Sequence, residues 1–469
     1  MCAMEDTQYQ NALDYIYSFV DYSLTRQLRY SPEKFNLDRM VHLMDLLGNP
    51  HRAYRVIHVA GTKGKGSTSA MMACALHAQG YRVGLFTSPH LQEYTERIQV
   101  NETQISKADF TALVEEIKPF VAQVEKLTTF EITTALGFLY FARQNVDVAV
   151  IEVGLGGRLD ATNVVEPLVS VITALSFDHM NVLGNSIVQI ASEKAGIIKP
   201  GRPVILSPQM EIAREVVEKI ARERGCRYVQ VGKDWLFAPW SHSLDGQTLL
   251  VWSAQDQAFA TDYVHSGGRS DWEPVRLNIP LLGMHQVENA ATAYAALQVA
   301  RDEGLEIKEN AIRSGFEAVQ WPARFEILRR EPPVVTDSAH NPDSALRLRL
   351  AMDDYLNGKP IILVFGASED KDIEGMFKHL MPRVRQVVAT KSAHPRAMDP
   401  AEIVRLAHQF GKPAQATESV EEALSAALKC AGQDAAVVIT GSVFVAAAGR
   451  EVWYKRVWKQ NHLTNFPSG

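Results

Sequence analysis

From Val56 to Ser207, short apolar runs rich in β-branched residues alternate with stretches of helical period. The runs "YRVIHVA", "YRVGLFT", "VDVAVIEV", "PLVSVITALS" and "RPVILS" are nearly continuous rather than alternating. That is the pattern of strands buried on both faces of a parallel sheet. Between the first two, Ala70, Met71, Cys74, Ala75 and Ala78 form a helical stripe, and the glycine of "AQGYR" supplies a stop. The texture changes near 235–279. There "WLFAPWSHSLDGQTLLVWSA" places a Leu-Asp-Gly turn between aromatic-rich runs, which predicts an antiparallel hairpin, and "HSGGRSD" reads as an exposed loop. Glu288 to Val299 is Ala-rich and helical. Trp321-Pro322 then breaks the pattern, and strands alternate with helices again through "PPVVTDSAH", "PIILVFGAS", "RQVVATKS" and "AAVVITGS".

The expected architecture is α/β. A P-loop-type domain with a mostly parallel sheet covers 1–320 and includes a small antiparallel β subregion near 235–279. A smaller, Rossmann-like C-terminal α/β domain covers 321–469. The uncharged run Ala435–Gly449 is too short to span a bilayer and reads as a buried strand, a turn and a helix start.

Composition narrows the function classes. A net charge of -6, from 48 basic and 54 acidic residues, argues against a dedicated nucleic-acid or anionic-membrane binder. The opening "MCAMEDTQYQ" has neither a basic nor an apolar leader segment, so a cytoplasmic protein is expected. Cys2, Cys74, Cys226 and Cys430 lack metal-site or disulfide-framework spacing and read as free thiols.

The chemistry begins at "VIHVAGTKGKGSTSAMM". A strand feeds a loop containing Gly61, Gly64 and Gly66, and a helix starts near Ser67. Such a loop aims backbone N–H groups and a helix N-terminus at an anion, with Lys65 reaching phosphate oxygens as a point charge. The strict P-loop pattern fails, because Val59 and Gly66 stand where Gly and a hydroxyl residue are required. In "VAVIEVGLGGRLDATN", Glu152 ends a very apolar strand, where a carboxylate needs a partner or a metal. It is a candidate Mg²⁺ ligand; Leu159 spoils a dinucleotide fingerprint. Asp178 and His179 follow another strand and suit either a capped turn or a metal site. Lys194 in "SEKAGIIKPG" reads from physics alone as a solvated charge. Asp337, His340 and Asn341 follow a strand of the second domain, and Arg324 lies at the interdomain boundary.

Taken together, G-T-x-G-K-G-S, T-S-P-H, E-V-G-L-G-G-R-L-D-A-T-N, D-H, E-K-A-G, H-Q-x-x-N-A-A, R-F-E and D-x-A-H-N-P resemble folylpolyglutamate synthase and dihydrofolate synthase, ATP-dependent amide ligases of the Mur ligase superfamily. The resemblance runs from about residue 11 to the end of the chain. It implies that Gly61, Thr62, Lys63, Gly64, Lys65, Gly66 and Ser67 hold the ATP phosphates, with further nucleotide contacts from Asn289, Arg324 and Asp337. Ser88, Glu152 and His179 would ligate Mg²⁺. Lys194 would be carbamylated and act as an indirect metal partner, and His340 matches a site histidine. Lys65, Lys194 and His340 are therefore the expected catalytic set. Thr128, Phe130, Asp160 and Ala161 match the folate or pterin pocket. The same resemblance implies ATP as co-substrate, Mg²⁺ with a monovalent cation such as K⁺, L-glutamate, a reduced folate or dihydropteroate as acceptor, and a monomer.

Four features depart from the family pattern. Lys63 stands where Asn is usual, Ala323 where Gly is usual in W-P-G-R, and Ser338 where Gly is expected. "KFNLDRM" occupies the place of an L-G-L-x-R-like segment linked to dihydropteroate binding. Two other readings stand beside this one. A cell-wall ligase acting on a UDP-linked precursor carries an extra N-terminal domain, for which the 60 residues before Gly61 are too few. A nucleotide-binding protein without ligase activity would lack a metal ligand, whereas Ser88, Glu152, His179 and Lys194 are all in place.

Overall fold

The apolar runs around Ile57 and Val150 become adjacent parallel strands, β1 (Arg55–Ala60) and β5 (Val148–Glu152), and every residue of β5 is buried. This computed structural model describes residues 2–20, 36–177, 184–356 and 358–463. Contacts divide the chain into two compact units. The first holds residues up to 241, with 248–280 and 285–319; the second holds 242–247, 281–284 and the chain from 320 onward.

Among the described residues, the first unit carries an eight-stranded sheet. Besides β1 and β5 it contains β2 (Val83–Phe86), β3 (Ile98–Val100), β4 (Thr103–Gln104), β6 (Val169–Ile172), β7 (Val204–Leu206) and β8 (Tyr228–Gln230). Its order is β4-β3-β2-β5-β1-β6-β7-β8, parallel except for β2–β3 and β3–β4. Register brings Val59 opposite Glu152, Ala60 opposite Ile172, and Phe86 opposite Ile151. The segments that follow β1, β2, β5 and β6 therefore leave the sheet along one edge, the place where open parallel sheets bind ligands.

The predicted hairpin is present as β9 (Trp235–Ser243) and β10 (Gly246–Ser253). With β11 (Val275–Ile279) it makes a separate antiparallel sheet of order β11-β10-β9. The Ala-rich helix is longer than its composition suggested, running over Met284–Asp302.

Two helices form the middle of the first unit. Lys65–Gln79 is buried at every position from Ser67 to Leu76, and Thr129–Arg143 is buried from Ile132 to Phe141. Phe86, Phe110, Phe138 and Phe141 are fully buried in the core around the second of these. Against the first packs the helix Glu309–Ala318, at a distance only glycine allows: a Cβ on Gly315 would lie 2.4 Å from the Ala75 Cα.

The second unit has a six-stranded sheet made of β12 (Glu326–Arg329), β13 (Val334–Thr336), β14 (Ile361–Phe365), β15 (Val384–Ala389), β16 (Ala414–Ala416) and β17 (Ala436–Thr440), in the order β12-β13-β17-β14-β15-β16. All its pairings are parallel except β12–β13. Phe325, Phe365 and Phe377 fill its core, with the last two rings 4.9 Å apart edge to face. The uncharged run from Ala435 resolves into β17, a turn and the helix Val443–Leu463. No helix among the described residues is long and apolar enough to cross a membrane.

Gly315→Ala should therefore push its helix off the backbone of Cys74 and Ala75. The expected loss is about 1–3 kcal/mol, the usual range for overpacking. It is read as a lower denaturant midpoint, and an unchanged midpoint would contradict this packing.

Candidate active site

At the end of β1 the loop is fixed from three sides. Thr62 and Lys63 both donate their N–H groups to the Ala174 carbonyl, at 2.9 and 3.0 Å. Thr173 caps β1 by donating its N–H to Ala60 O, and its hydroxyl lies so close that a Cβ on Gly61 would sit 1.9 Å from it. Gly64 takes a left-handed φ of 87° as N-cap of the Lys65 helix, and a Cβ there would meet the Asn289 Oδ1 at 2.1 Å. Asn289 itself is buried, donating through Nδ2 to Gln286 at 3.0 Å. The helix ladder opens with the Thr68 N–H on Gly64 O. The N–H groups of Lys65, Gly66 and Ser67 thus belong to the turn whose donors helix geometry leaves for an anion.

Glu152 ends β5 at the same edge and is 4 % exposed. The Lys65 Nζ lies 3.6 Å from its Oε1, and the Ser88 N–H points at its Oε2 at 3.4 Å. Lys194 corrects the reading from physics alone. It is 4 % exposed rather than solvated, and its Nζ donates to the Gly61 carbonyl at 2.8 Å. What brings it there is an interlock of two segments. Gly157 lies so near Glu193 O and the Lys194 Cα that a Cβ would stand 2.8 and 3.1 Å from them. Arg158 adds a 2.8 Å ion pair to Glu193 and a backbone bond to the Glu193 carbonyl.

Asp160 is buried just beyond. Its Oδ2 accepts from Leu155 N–H at 2.8 Å and its Oδ1 from Thr162 N–H at 3.0 Å. Burial pushes its pKa up; those donors and the Lys65 charge pull the other way. Ala161 follows it in a short 3₁₀ turn. Phe130 lies over the loop after Glu152, where a Cβ on Gly154 would be 2.4 Å from its ring. Thr128 caps the Phe130 helix through a capping box with Glu131, and Glu131 pairs with Arg39 at 3.1 Å. Arg39 belongs to "KFNLDRM", so that segment reaches the capping box at Thr128 through Glu131; its Lys34 and Phe35 lie outside the described residues.

The first unit therefore brings together Gly61–Ser67, Ser88, Glu152, Lys194, Asn289, Asp160 and Ala161, with Phe130 and Thr128 alongside. Asp178 and His179 lie outside the described residues. Among the described residues no three His, Cys, Asp or Glu side chains gather as a metal cluster. Mg²⁺ needs only one or two protein oxygens when nucleotide phosphates and water complete its shell, and the hard donors Glu152 and Ser88 suit it.

The second unit gathers Arg324, just ahead of β12, with Asp337 and His340, just after β13. Asp337 is buried and accepts from Phe325 N–H at 2.8 Å and Ala339 N–H at 2.9 Å. Burial raises its pKa against the Arg324 charge. His340 Nδ1 lies 2.9 Å from the Ser338 carbonyl, so in the neutral ring Nδ1 carries the proton. The two glycine departures meet here. Ala323 holds a left-handed φ of 55°, and the Ser338 hydroxyl donates to the Ala323 carbonyl at 3.0 Å.

Sequence reasoning missed other residues on this edge. Ser368 follows β14, His394 follows β15 and stacks on Phe444 with centroids 4.2 Å apart, and Ser442 follows β17. Their signal was position alone, a polar residue within about five positions of the end of each apolar run. Also missed was His58, the one polar residue among the buried positions of β1.

The family model for the Mur ligase middle domain matches residues 59–297, and that for the Mur ligase glutamate ligase domain matches 323–443. The chain is 34% identical over 445 residues to the dihydrofolate synthase/folylpolyglutamate synthase of Bacillus subtilis, covering 93% of this chain and 97% of that protein. It is 34% identical to a probable bifunctional folylpolyglutamate synthase/dihydropteroate synthase of Haloferax volcanii, covering 97% of this chain but spanning only 52% of that longer protein. Among solved structures, Mycobacterium tuberculosis folylpolyglutamate synthase complexed with ADP superposes with a TM-score of 0.83 at 32% identity, covering 96% of this chain and 99% of that one.

Gly64→Ala should force the loop away from Asn289 and strain its backbone. ATP affinity measured by calorimetry is expected to fall about tenfold or more. Unchanged affinity would show that the loop does not hold the nucleotide.

Proposed function

The chain belongs to the folylpolyglutamate synthase/dihydrofolate synthase family of Mur ligases, and from that premise we propose a residue-level reading of its chemistry. It is an ATP-dependent ligase that joins L-glutamate to a folate. In the proposed course the folate carboxylate takes the γ-phosphoryl group of ATP to give an acyl phosphate and ADP. The glutamate amine attacks the acyl carbon, and collapse of the tetrahedral intermediate forms the amide and expels phosphate. The catalytic burden is positioning and the neutralisation of developing negative charge.

One observation carries this assignment: the half-buried Lys65 paired with the buried Glu152, beside a glycine loop and a second buried carboxylate, Asp160. Lys65 with the N–H groups of the first helical turn holds the phosphates. Glu152 and Ser88, with His179, are the proposed ligands of Mg²⁺, which when bound supplies charge neutralisation to the phosphates. Lys194 steadies the loop through the Gly61 carbonyl. Carbamylation would leave one N–H for that bond and convert a cation into a carboxylate-like group.

Phe130, Thr128, Asp160 and Ala161 form the proposed acceptor side, where a planar ring would meet the Phe130 face and a buried acceptor in Asp160. Arg324 and Asp337 are assigned to the nucleotide by family likeness. His340 is assigned to the catalytic set by family likeness, with its Nδ1 held at the Ser338 carbonyl. Tetrahydrofolate is the proposed acceptor, since "KFNLDRM" replaces the segment associated with dihydropteroate.

Purified protein with Mg²⁺-ATP and L-glutamate should release ADP when tetrahydrofolate is supplied, and mass spectrometry should show the acceptor heavier by one glutamyl residue. Release with dihydropteroate as well would make the enzyme bifunctional; release with neither overturns the acceptor assignment.

Lys65→Ala and Glu152→Ala should each lower kcat by about a hundredfold or more while the circular dichroism spectrum is retained. Near-normal turnover in either variant would remove that pair from the chemistry.

A further inference from the structure

His58 lies in the middle of β1, opposite Ile151 on one side and Ser170 on the other, and is wholly buried. A core histidine usually has both ring nitrogens satisfied or is replaced by an apolar residue without loss. His58 is not satisfied at both nitrogens. Its Nε2 is 2.9 Å from the Thr162 hydroxyl, and its Nδ1 has no partner. The Thr162 hydroxyl, also fully buried, is 2.5 Å from Asp160 Oδ1.

Proton counting decides the direction of this chain. The hydroxyl has one hydrogen. If it went to His58, the imidazole would carry its own proton on Nδ1, a buried donor with nothing to receive it, and the 2.5 Å contact with Asp160 would hold no hydrogen. If instead Nε2–H donates to Thr162 and Thr162 donates to Asp160, both short contacts are bonded and only a lone pair is left bare. The second arrangement is the stable one. The charged groups around it agree. Lys199, held on the Asn163 carbonyl at 2.8 Å, faces the imidazole, while Lys65 faces Asp160. Burial first, and Lys199 second, push the His58 pKa down to about 3, so the ring is neutral.

We propose that His58 is a positioning residue for the acceptor substrate: through the Thr162 hydroxyl it sets the direction of a buried hydrogen-bond chain and holds Asp160 as a fixed proton acceptor beside Lys65. The same strand carries the phosphate loop three residues further on, so one buried element registers both halves of the site. This rests on the reading that Asp160 faces the acceptor.

Acceptor KM, ATP KM and melting temperature are measured for His58→Leu, His58→Gln, Thr162→Val and Asp160→Asn. His58→Leu and Thr162→Val should each raise the tetrahydrofolate KM about tenfold, with ATP KM unchanged. The double variant should be no worse than either single one, because both break the same chain. His58→Gln, whose amide N–H reaches as far as Nε2, should return the KM to within about threefold of the starting protein. Equal impairment by Gln and Leu would reduce His58 to packing, and an ATP KM that rises in step would locate the damage in the phosphate loop; either result overturns the proposal. Should His58→Leu not fold, Thr162→Val carries the same test. If Asp160→Asn leaves the acceptor KM unchanged, it is the placement of Asp160 at the acceptor that fails. If Asp160→Asn is impaired while His58→Leu and Thr162→Val are normal, the relay alone fails.

Discussion

A carboxylate at the end of a strand buried on both faces must be compensated, and Glu152 is the point from which the first unit is organised. Its position between β1 and β2 leaves water little access, so Lys65 has to stand over it and the loop after β1 has to turn sharply enough to bring Lys65 there. That turn requires Gly61 against Thr173 and Gly64 against Asn289. The carbonyl it exposes at Gly61 is taken by Lys194, and Lys194 reaches it because Gly157 lets its segment lie directly on the loop after β5. A compensated buried charge thus accounts for why so many glycines, and so few alternatives to them, surround this edge.

Much of this was legible beforehand, for identifiable reasons. Continuous apolar runs announce doubly covered strands, and β1, β2, β5, β6 and β7 lie where those runs do. The hairpin β9–β10 followed from its Asp-Gly turn. The three-residue β3, which runs against the rest of the sheet, and the two-residue β4 beyond it left no comparable trace, because strands so short have too few positions to display a period. Sheet order was equally hidden: that β5 enters between β1 and β2 depends on how helices cover the faces, which no local window records.

The candidate site divides the same way. Glycines, Lys65 and Glu152 stand out by residue type in an apolar setting. Lys194 does not, since an isolated lysine beside a glutamate looks solvated until an interlock of loops buries it. His58 was passed over because a strand residue is judged by its neighbours in sequence, whereas its partner Thr162 lies over a hundred positions away.

The pair Ala323 and Ser338 matters to anyone exchanging segments of this fold. Each stands where glycine is usual, and they are joined by a hydroxyl–carbonyl bond across the turn after β13. An alanine there holds a left-handed backbone that costs it about 1–2 kcal/mol, and a bond of this kind is worth about the same. Neither change is then neutral by itself in the way both are together. A chimaera that takes only one of the two sites from this chain would separate a strained turn from the group that offsets it.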